Sequence, residues 1–534
     1  MAENQQLLSS NPSVITQTRV EDANTPVVSS PLNPDAAASR VRTREQREKK
    51  ASFKKREEGE DQGPNKKLKK SSKEPTHISP IRYKLPLPKA IDFSTPVAPT
   101  FTIIHDRPGY PAYESSEHVY SKKGFRYTRA IVDPLFPAIQ YHRQSETIFH
   151  PAFNPEDTAP LILFGGPECT TITTDKGFRT ARANVFAREG RFYWECKIFS
   201  GIKHDPLDER TGGHIRCGFV RREATLDGPV GFDAYSYGIR DMDGQKIHMS
   251  RPKDFHGTSF VEGDVIGLEI TLPSESLHRK VVEGVYNKAV DVMDDLDPGA
   301  AKEPADIIRD RVPIRFKTHI YHEAFEYTPV KPLEDLMHPA PAVNATNSTV
   351  NDNPHPNHPE PALRTLPMSS IKVYLNGKYI GTPFTDLLAF LPPASKPLSQ
   401  PGSRQGLDDG TLGYYPAISV YRSGYAEANF SKPFWFPPES PDAEMRDTPD
   451  IKVNPATQQH IAGSQSRLRP FVERFNEQIA EDVMFDLIDE VDFWSQGVEE
   501  EDQAPSGLGP NDPQAAGMEG ALANGELKIM QEDE

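Results

Sequence analysis

The hydrophobic positions in the middle of the chain form short blocks with no helical period. Three blocks rich in β-branched and aromatic residues lie between residues 160 and 271: Arg191–Phe199, His214–Val220 and Asp264–Thr271. A second group lies nearer the C-terminus: Ile371–Ile380, Tyr415–Tyr421 and Tyr425–Phe430. Blocks of this kind, bounded by Gly, Pro and Asp, are typical of β-strands. The pattern therefore predicts an all-β fold, an antiparallel β-sandwich.

The dipeptide Asn376-Gly377 lies between two apolar runs and predicts a tight hairpin. A type I′ turn needs positive φ at both central residues, and Asn and Gly tolerate that conformation best. We expect the strand-rich parts 151–274 and 366–440 to build one sandwich of about 200 residues, a usual size for a single all-β domain.

Composition limits how much of the chain folds. Proline accounts for 51 of the 534 residues, and its missing N–H excludes it from helix interiors and inner strands. We therefore expect long stretches without regular structure. They are a disordered basic N-terminal region (1–80), a low-complexity insertion (275–365), a linker (441–466) and an acidic disordered tail (494–534).

The segment 81–150 differs from these polar stretches. It carries many aromatic residues with prolines between them, and disordered segments contain few large apolar rings. We expect an extended segment that packs on the domain through its aromatic side chains and has little regular structure of its own.

A helix is predicted over 467–493. Four apolar residues recur on one face of it: Ala480, Met484, Leu487 and Val491. Ile479, Val483 and Ile488 widen that face, and the opposite face is acidic. A helix this amphipathic needs a cover, which is either the sandwich itself or the groove of a partner protein.

The basic N-terminal region contains four lysines that match a nuclear localisation signal: Lys66, Lys67, Lys69 and Lys70. A solvated tail of mixed charge is the alternative. Clustered basic residues also suit phosphate contacts, so a contact with nucleosomal DNA is a compatible second role. The net charge of -16 opposes nucleic-acid binding as the main function.

The sequence excludes several classes of protein. No apolar run reaches the length of a membrane span, and the first residues lack the pattern of a signal peptide, so an intracellular, nuclear protein is expected. The three cysteines form no C-x-x-C pair, which argues against a disulfide framework or a cysteine zinc site. Four histidines, at His322, His338, His355 and His358, have irregular spacing, so we expect a solvated tract and no metal site.

The sequence shows no catalytic constellation. The segment from Gly201 to His214 contains two histidines and several acidic residues, but its spacing matches no metal signature and it is expected to be a polar loop. A phosphate-binding glycine loop and a G-x-S-x-G elbow are both absent from the sequence. We expect a protein that is not an enzyme and needs no cofactor.

A family resemblance rests on several motifs in order. They are Gly177–Ala183, Gly190–Glu195, Arg216–Phe219, Pro229–Tyr237, Phe260–Gly267, Val373–Gly377 and Tyr415–Ser419. Together they resemble a SPRY domain. With the split insertion and the C-terminal amphipathic helix, the chain is similar over about 150–493 to the SPRY subunit of COMPASS-type (Set1C) histone H3 lysine-4 methyltransferase complexes, the fungal counterpart of the animal ASH-two-like family.

The resemblance implies a basic pocket that binds an acidic, phosphorylatable segment of a WD-repeat subunit. By motif, the pocket falls on Tyr193, Arg216, Pro229, Phe232 and Arg240. The animal members carry a tyrosine where this chain has Phe232. An arginine fork can hold a carboxylate or a phosphate with two hydrogen bonds. The alternative is that Arg216 forms an internal salt bridge.

The resemblance also implies that the predicted helix docks into a small DPY-thirty-type dimer. The chain would then be a non-catalytic subunit that holds the SET-domain methyltransferase in its active conformation. A different class remains open: a generic SPRY adaptor, such as a substrate receptor of a ubiquitin ligase. Such receptors usually carry a RING, B-box or SOCS-type box, and three scattered cysteines cannot build a RING.

Overall fold

The structure is a computed structural model of the chain. It describes residues 89–94, 99–107, 109–116, 124–132, 142–144, 148–203, 213–297, 307–309, 312–316, 319–338, 353–399, 406–438 and 467–502. The expectations for residues 1–80, for the linker 441–466 and for the tail beyond residue 502 lie outside these ranges.

The described residues form strands for the most part. In chain order the strands are β1 (Phe101–Arg107), β2 (Tyr110–Ser115), β3 (Phe125–Val132), β4 (His142–Gln144), β5 (Phe153–Thr158), β6 (Leu163–Phe164), β7 (Thr171–Thr173), β8 (Arg179–Ala183), β9 (Gly190–Ser200), β10 (His214–Val220), β11 (Ser236–Arg240), β12 (Lys246–His248), β13 (Arg251–Lys253), β14 (Val265–Leu272), β15 (Val312–Phe316), β16 (His319–Phe325), β17 (Tyr327–Thr328), β18 (Ser370–Leu375), β19 (Lys378–Thr385), β20 (Lys396–Pro397), β21 (Tyr415–Tyr421), β22 (Tyr425–Asn429) and β23 (Arg469–Pro470). The helices are α1 (Glu275–Glu283), α2 (Lys288–Leu296), α3 (Lys331–Met337) and α4 (Phe471–Asp502).

Two large sheets carry the fold. The first sheet has the order β1-β2-β6-β7-β22-β9-β14-β18-β19, with β23 added in parallel to β9. The second sheet has the order β13-β12-β11-β10-β21-β8-β5, and all of its pairs are antiparallel. A third sheet, β15-β16-β3-β4, and the pair β17-β20 complete the described strands.

The two large sheets pack face to face, which confirms the predicted sandwich. Every second residue of β9 faces inward, and Trp194 and Cys196 are fully buried there. On β10 the inward residues are Cys217 and Phe219. The rings of Trp194 and Phe219 meet edge to face across the sheets, with centroids 6.3 Å apart. Burial of such side chains contributes about 1.5–3 kcal/mol each.

The predicted hairpin is confirmed between β18 and β19. Asn376 and Gly377 have φ values of 52° and 83°, as a type I′ turn requires. The Asn376 side chain also accepts a hydrogen bond from the backbone N–H of Val265 at 2.8 Å. The turn therefore joins two neighbouring strands and is held by a third, β14.

The prediction for 81–150 was wrong in one respect. The segment packs on the domain, but its described residues form strands β1 to β4. β1 and β2 extend the first sheet through the pair Tyr113 and Phe164, and β3 pairs with β16. The alternation of Phe125 and Tyr127 with polar neighbours, both buried in β3, was the strand signal that the many prolines obscured.

The range 275–365 is not a single low-complexity insertion, and the prediction is wrong for its described parts. Helix α1 places Leu277, Val281 and Val282 in the main core, and β16 and α3 follow it. Arg188 ties α1 to the sandwich through Glu275 at 2.6 Å. The spacing of the three apolar residues, i, i+4 and i+5, is that of an amphipathic helix. Residues 339–352, inside the polar tract, lie outside the described ranges.

Helix α4 begins at Phe471 and ends at Asp502, whereas the prediction placed it at 467–493. Strand β23 precedes it and pairs with β9. The expected disordered tail therefore starts too early, because residues 494–502 continue the helix. Glutamate has a high helix propensity, and a helix already nucleated upstream extends at little further cost.

Candidate partner-binding surfaces

Two arginines lie opposite each other on the outer face of the second sheet. Arg216 of β10 and Arg240 of β11 are cross-strand partners. Ile215 and Cys217 point into the core, so the alternation along β10 turns Arg216 away from it. Like charges in directly opposed positions destabilise a sheet, so this pair favours the approach of an anion.

The Arg216 guanidinium is half-buried against an aromatic ring. Its central carbon lies 4.6 Å from the centroid of the Phe178 ring. Burial, and then the charge of Arg240, lower the pKa of Arg216 to about 10. No carboxylate among the described residues lies within 4.0 Å of either arginine, and the Arg240 Nη2 donates to the Met242 sulfur at 3.0 Å. The internal salt bridge considered for Arg216 is therefore not formed among these residues.

The nearest acid, Asp241, is bound to other groups. Its carboxylate accepts from the backbone N–H of Ile215 at 3.0 Å and contacts the His214 Nδ1 at 3.1 Å. The hydrogen bond to Asp241 raises the pKa of His214. The Asp241 carboxylate is thus engaged by the His214 ring and by the backbone N–H of Ile215. Among the described residues it forms no ion pair with Arg216 or Arg240.

The loop that carries Pro229 and Phe232 is fixed on the same face. The Thr180 hydroxyl of β8 donates to the Gly228 carbonyl at 2.6 Å, and the Ser419 hydroxyl of β21 accepts from the Val230 N–H at 2.9 Å. Phe232 is 44% exposed. An exposed aromatic ring on a fixed loop is a common feature of protein-binding surfaces.

Tyr193 does not belong to this group. It lies on β9 in the first sheet and is fully buried, under Phe434 and beside Tyr374. Its hydroxyl fits where Gly267 has no Cβ, because a Cβ there would lie 2.0 Å from that oxygen. The motif match put Tyr193 in the pocket, but the alternation along β9 sends its side chain to the opposite side of the sandwich from Arg216.

Three residues that the sequence analysis did not single out complete the surface. Phe178 underlies Arg216, its ring lies 4.9 Å from that of Tyr421, and the Arg422 guanidinium lies 5.1 Å from the Tyr421 ring. Phe178 stands in the quoted motif Gly177–Ala183, just before β8, and this position was the available signal. We call the following set the arginine surface: Phe178, Arg216, Arg240, Tyr421 and Arg422.

Helix α4 has an anchored first part. Phe471 and Phe475 are buried in the main core, and the Phe471 ring lies 5.3 Å from that of Phe192. Arg474 forms a two-pronged ion pair with Glu481, both contacts at 2.6 Å. This part follows the alternative considered above, in which the helix folds back on the sandwich.

The later turns of α4 leave their apolar side chains uncovered among the described residues. We call these the helix stripe: Val483, Met484, Leu487, Ile488 and Val491, which are 41–65% exposed. Three of the four predicted anchors belong to the helix stripe. The fourth, Ala480, precedes the stripe and is also exposed. Asp482, on another side of the helix, is held by Arg309, whose guanidinium also lies 5.7 Å from the Phe485 ring.

Other predicted features have plain outcomes. The four lysines of the nuclear signal and residues 204–212 lie outside the described ranges. His322 and His358 are buried, so the expected solvated histidine tract is wrong for both; the His358 Nδ1 accepts from the Glu360 N–H at 3.0 Å. Within the described ranges, His, Cys, Asp and Glu side chains form no group of three or more that could hold a metal ion. No described helix is both long and apolar enough to cross a membrane.

Comparison with known proteins places the chain in a family. No family model matches it. A crystal structure of a human SPRY domain is similar at 13% identity and a TM-score of 0.23, over 51% of this chain and 95% of that one. The Set1 complex component ash2 of Schizosaccharomyces pombe is 37% identical over 78% of this chain and 52% of its own length. The COMPASS component cclA of Colletotrichum higginsianum is 49% identical over 89% of this chain and 88% of its own length. The chain therefore belongs to the family of these COMPASS components.

Proposed function

We propose that this protein is a non-catalytic subunit of a nuclear COMPASS-type complex that methylates histone H3 on lysine 4. In this role the arginine surface binds an acidic segment of a WD-repeat subunit. The helix stripe binds a small DPY-thirty-type dimer, and the assembled subunits promote the activity of the SET-domain methyltransferase. The names of the relatives, COMPASS and Set1 complex components, support the choice of complex.

The observation that carries the WD-repeat contact is the opposed pair Arg216 and Arg240, which has no carboxylate within 4.0 Å in the part of the chain that the structure describes. Two guanidiniums on adjacent strands offer several N–H donors each, and such forked donors suit carboxylate or phosphate groups. Phe178 and Tyr421 provide a rigid aromatic floor beside them. A partner segment that alternates acidic and apolar residues fits both features.

The dimer contact is supported by the helix stripe. Apolar residues at Met484, Leu487 and Val491 recur at i, i+3 and i+7, the spacing of a helix that binds in a hydrophobic groove. They face away from the sandwich because Phe471 and Phe475 fix the rotation of the helix. A groove in the partner would cover them without any rearrangement of the core.

The first test is binding of the purified full-length chain to the purified WD-repeat subunit. We expect Arg216→Ala to weaken binding at least about tenfold, because loss of a hydrogen-bonded charge contact costs 2 kcal/mol or more in such interfaces. The matched control is Lys253→Ala, an exposed cation at the far edge of the same sheet. Thermal unfolding should be unchanged for both variants.

Equal affinity of Arg216→Ala and the unaltered protein, with normal unfolding, would contradict the assignment of the arginine surface. Arg216→Lys distinguishes charge from shape. A lysine keeps the charge but loses the fork and the stacking on Phe178, so an intermediate affinity is expected.

A further inference from the structure

Helix α2 exposes three of its four Val, Met and Leu side chains, and the fourth, Val292, packs against the main core. Its aspartates Asp291 and Asp295 are buried, at 7% and 8% exposure, whereas Val290, Met293 and Leu296 are 50–67% exposed. Val285, just before the helix, is 64% exposed. Surface helices of globular proteins normally bury their apolar stripe. We call these four residues the α2 face: Val285, Val290, Met293 and Leu296.

Specific bonds hold α2 in this orientation. The Asp295 carboxylate accepts from the Ser274 N–H at 3.2 Å, just before α1. Asp291 accepts from Lys280 of α1 at 2.7 Å and from the Asn287 N–H at 2.6 Å. The buried aspartates therefore tie α2 to α1, whose own residues lie in the main core. The outward direction of the α2 face is fixed by these contacts.

Charge at the end of α2 is also unfavourable for the isolated helix. Asp294 lies in its last turn and is exposed, where the helix dipole is already negative and no basic residue is present. Glu283, two residues before Val285, adds an exposed acid, while the exposed base Lys288 begins the helix. An apolar face with an acidic rim breaks two local rules at once, which is typical of a functional surface. A basic partner would relieve both the exposed apolar area and the repulsion.

We propose that the α2 face is a second docking surface, which binds a segment of another subunit of the complex that carries apolar residues flanked by Lys or Arg. The charge of the rim selects this occupant over an acidic one. This proposal rests on the proposed function in one respect: the partner is a subunit of the complex named there. It differs from the helix stripe in position and from the arginine surface in charge.

The test uses the complex purified through the tagged full-length chain. A photo-reactive p-benzoylphenylalanine is placed at position 293, or as a control at position 149, where Phe149 is 72% exposed. After irradiation, cross-linked peptides are identified by mass spectrometry. We expect position 293 to capture a Lys- or Arg-flanked apolar segment of another subunit, and position 149 not to capture that segment.

Two further variants keep the test specific. Val290→Ser with Leu296→Ser should reduce the cross-link from position 293 at least about fivefold, because the apolar anchors are lost. Glu283→Gln with Asp294→Asn should reduce it less and should weaken its dependence on salt. Substitutions at exposed positions such as these change stability little, so normal thermal unfolding is expected.

The outcomes separate the two proposals. A cross-link only to this chain, to a second copy of it or to an acidic segment would overturn the α2 proposal, as would no cross-link while the WD-repeat and SET-domain subunits copurify. If those subunits do not copurify at all, the proposed function fails and the α2 proposal fails with it.

Discussion

The first and later turns of α4 have the same helical periodicity but different surroundings. Phe471 and Phe475 fill the space between the sheets, whereas Met484 and Leu487 meet no apolar cover among the described residues. Periodicity therefore indicates that a face will be covered, and only the tertiary structure determines by what. One helix can thus be part of a core at one end and a docking element at the other.

The anchored end should show the largest effect on stability. Phe471→Ala removes a fully buried ring that contacts Phe192 and Phe219, and such changes cost about 3–5 kcal/mol. Urea unfolding of the full chain measures the loss. A change below about 1 kcal/mol would mean that the helix does not complete the core.

Helix α1 is a second anchored element, and in it a buried ion pair adds to the apolar packing. Burial opposes ionisation of Glu275, but the charge and hydrogen bonds of Arg188 outweigh it and hold the pKa of Glu275 at about 2. A lowered folded-state pKa adds stability that is present above about pH 4.5 and is lost as the pH falls towards 2.

We expect about 2 kcal/mol of stability to be lost through this group between pH 6 and pH 3. Urea unfolding at the two pH values, compared with Glu275→Gln, measures it. Glu275→Gln should be less stable than the unaltered protein at pH 6, and its free energy of unfolding should depend less on pH. Parallel pH profiles for the two proteins would show that Arg188 does not compensate Glu275.

The contact between Arg309 and Asp482 lies at the border of the two parts of α4. Arg309 is 4% exposed at its side chain and Asp482 is 22% exposed. Arg309→Ala should lower the free energy of unfolding by about 2 kcal/mol, because the Asp482 carboxylate loses a charged hydrogen bond. Hydrogen exchange should accelerate from residue 480 onwards and stay slow at 471–476.

Arg467→Ala is the control for that comparison. Its side chain is 68% exposed and pairs with Glu473 on the surface, where an ion pair contributes about 0–1 kcal/mol. Uniform acceleration of exchange along the whole helix in Arg309→Ala would contradict the division of α4 into two parts.

The open end should show the smallest effect on stability and the largest effect on binding. Met484→Asp with Leu487→Asp changes exposed positions, so unfolding should shift by no more than about 0.5 kcal/mol. Capture of the small dimer should be abolished, and binding to the WD-repeat subunit should be kept. Asn476→Asp, an exposed position on the anchored part, is the charge control. If the double variant still captured the small dimer, the assignment of the helix stripe as its binding site would be wrong.

The anchored first part of α4 affects how the docking element can be removed in an experiment. A truncation at residue 470 would delete Phe471 and Phe475 from the core, so it would unfold part of the domain as well as the docking element. Point substitutions in the helix stripe avoid this, because the stripe side chains are 41–65% exposed and the core phenylalanines stay in place.

The sequence predicted the sandwich and its hairpin because alternation and turn residues are local signals. Arg216 and Arg240 came from the family motifs, and strand alternation alone did not single them out; the structure shows that they are cross-strand partners. The motif match grouped Tyr193 with Arg216, but a motif does not show to which sheet its strand belongs or to which side of that sheet a side chain points. Phe178 and Tyr421 come together only through the pairing of β8 with β21, which pattern alone does not give.

The order of strands in the sheets has a consequence for synthesis on the ribosome. β14 neighbours β18, and β10 neighbours β21, although long stretches of chain separate the members of each pair. A nascent chain that already carries β10 therefore leaves one edge of that strand unpaired until β21 leaves the exit tunnel, and Phe471 packs against Phe219 later still. Because distant pairings form slowly, the newly made protein should need chaperone protection of this half-built core more than a domain with local pairing does.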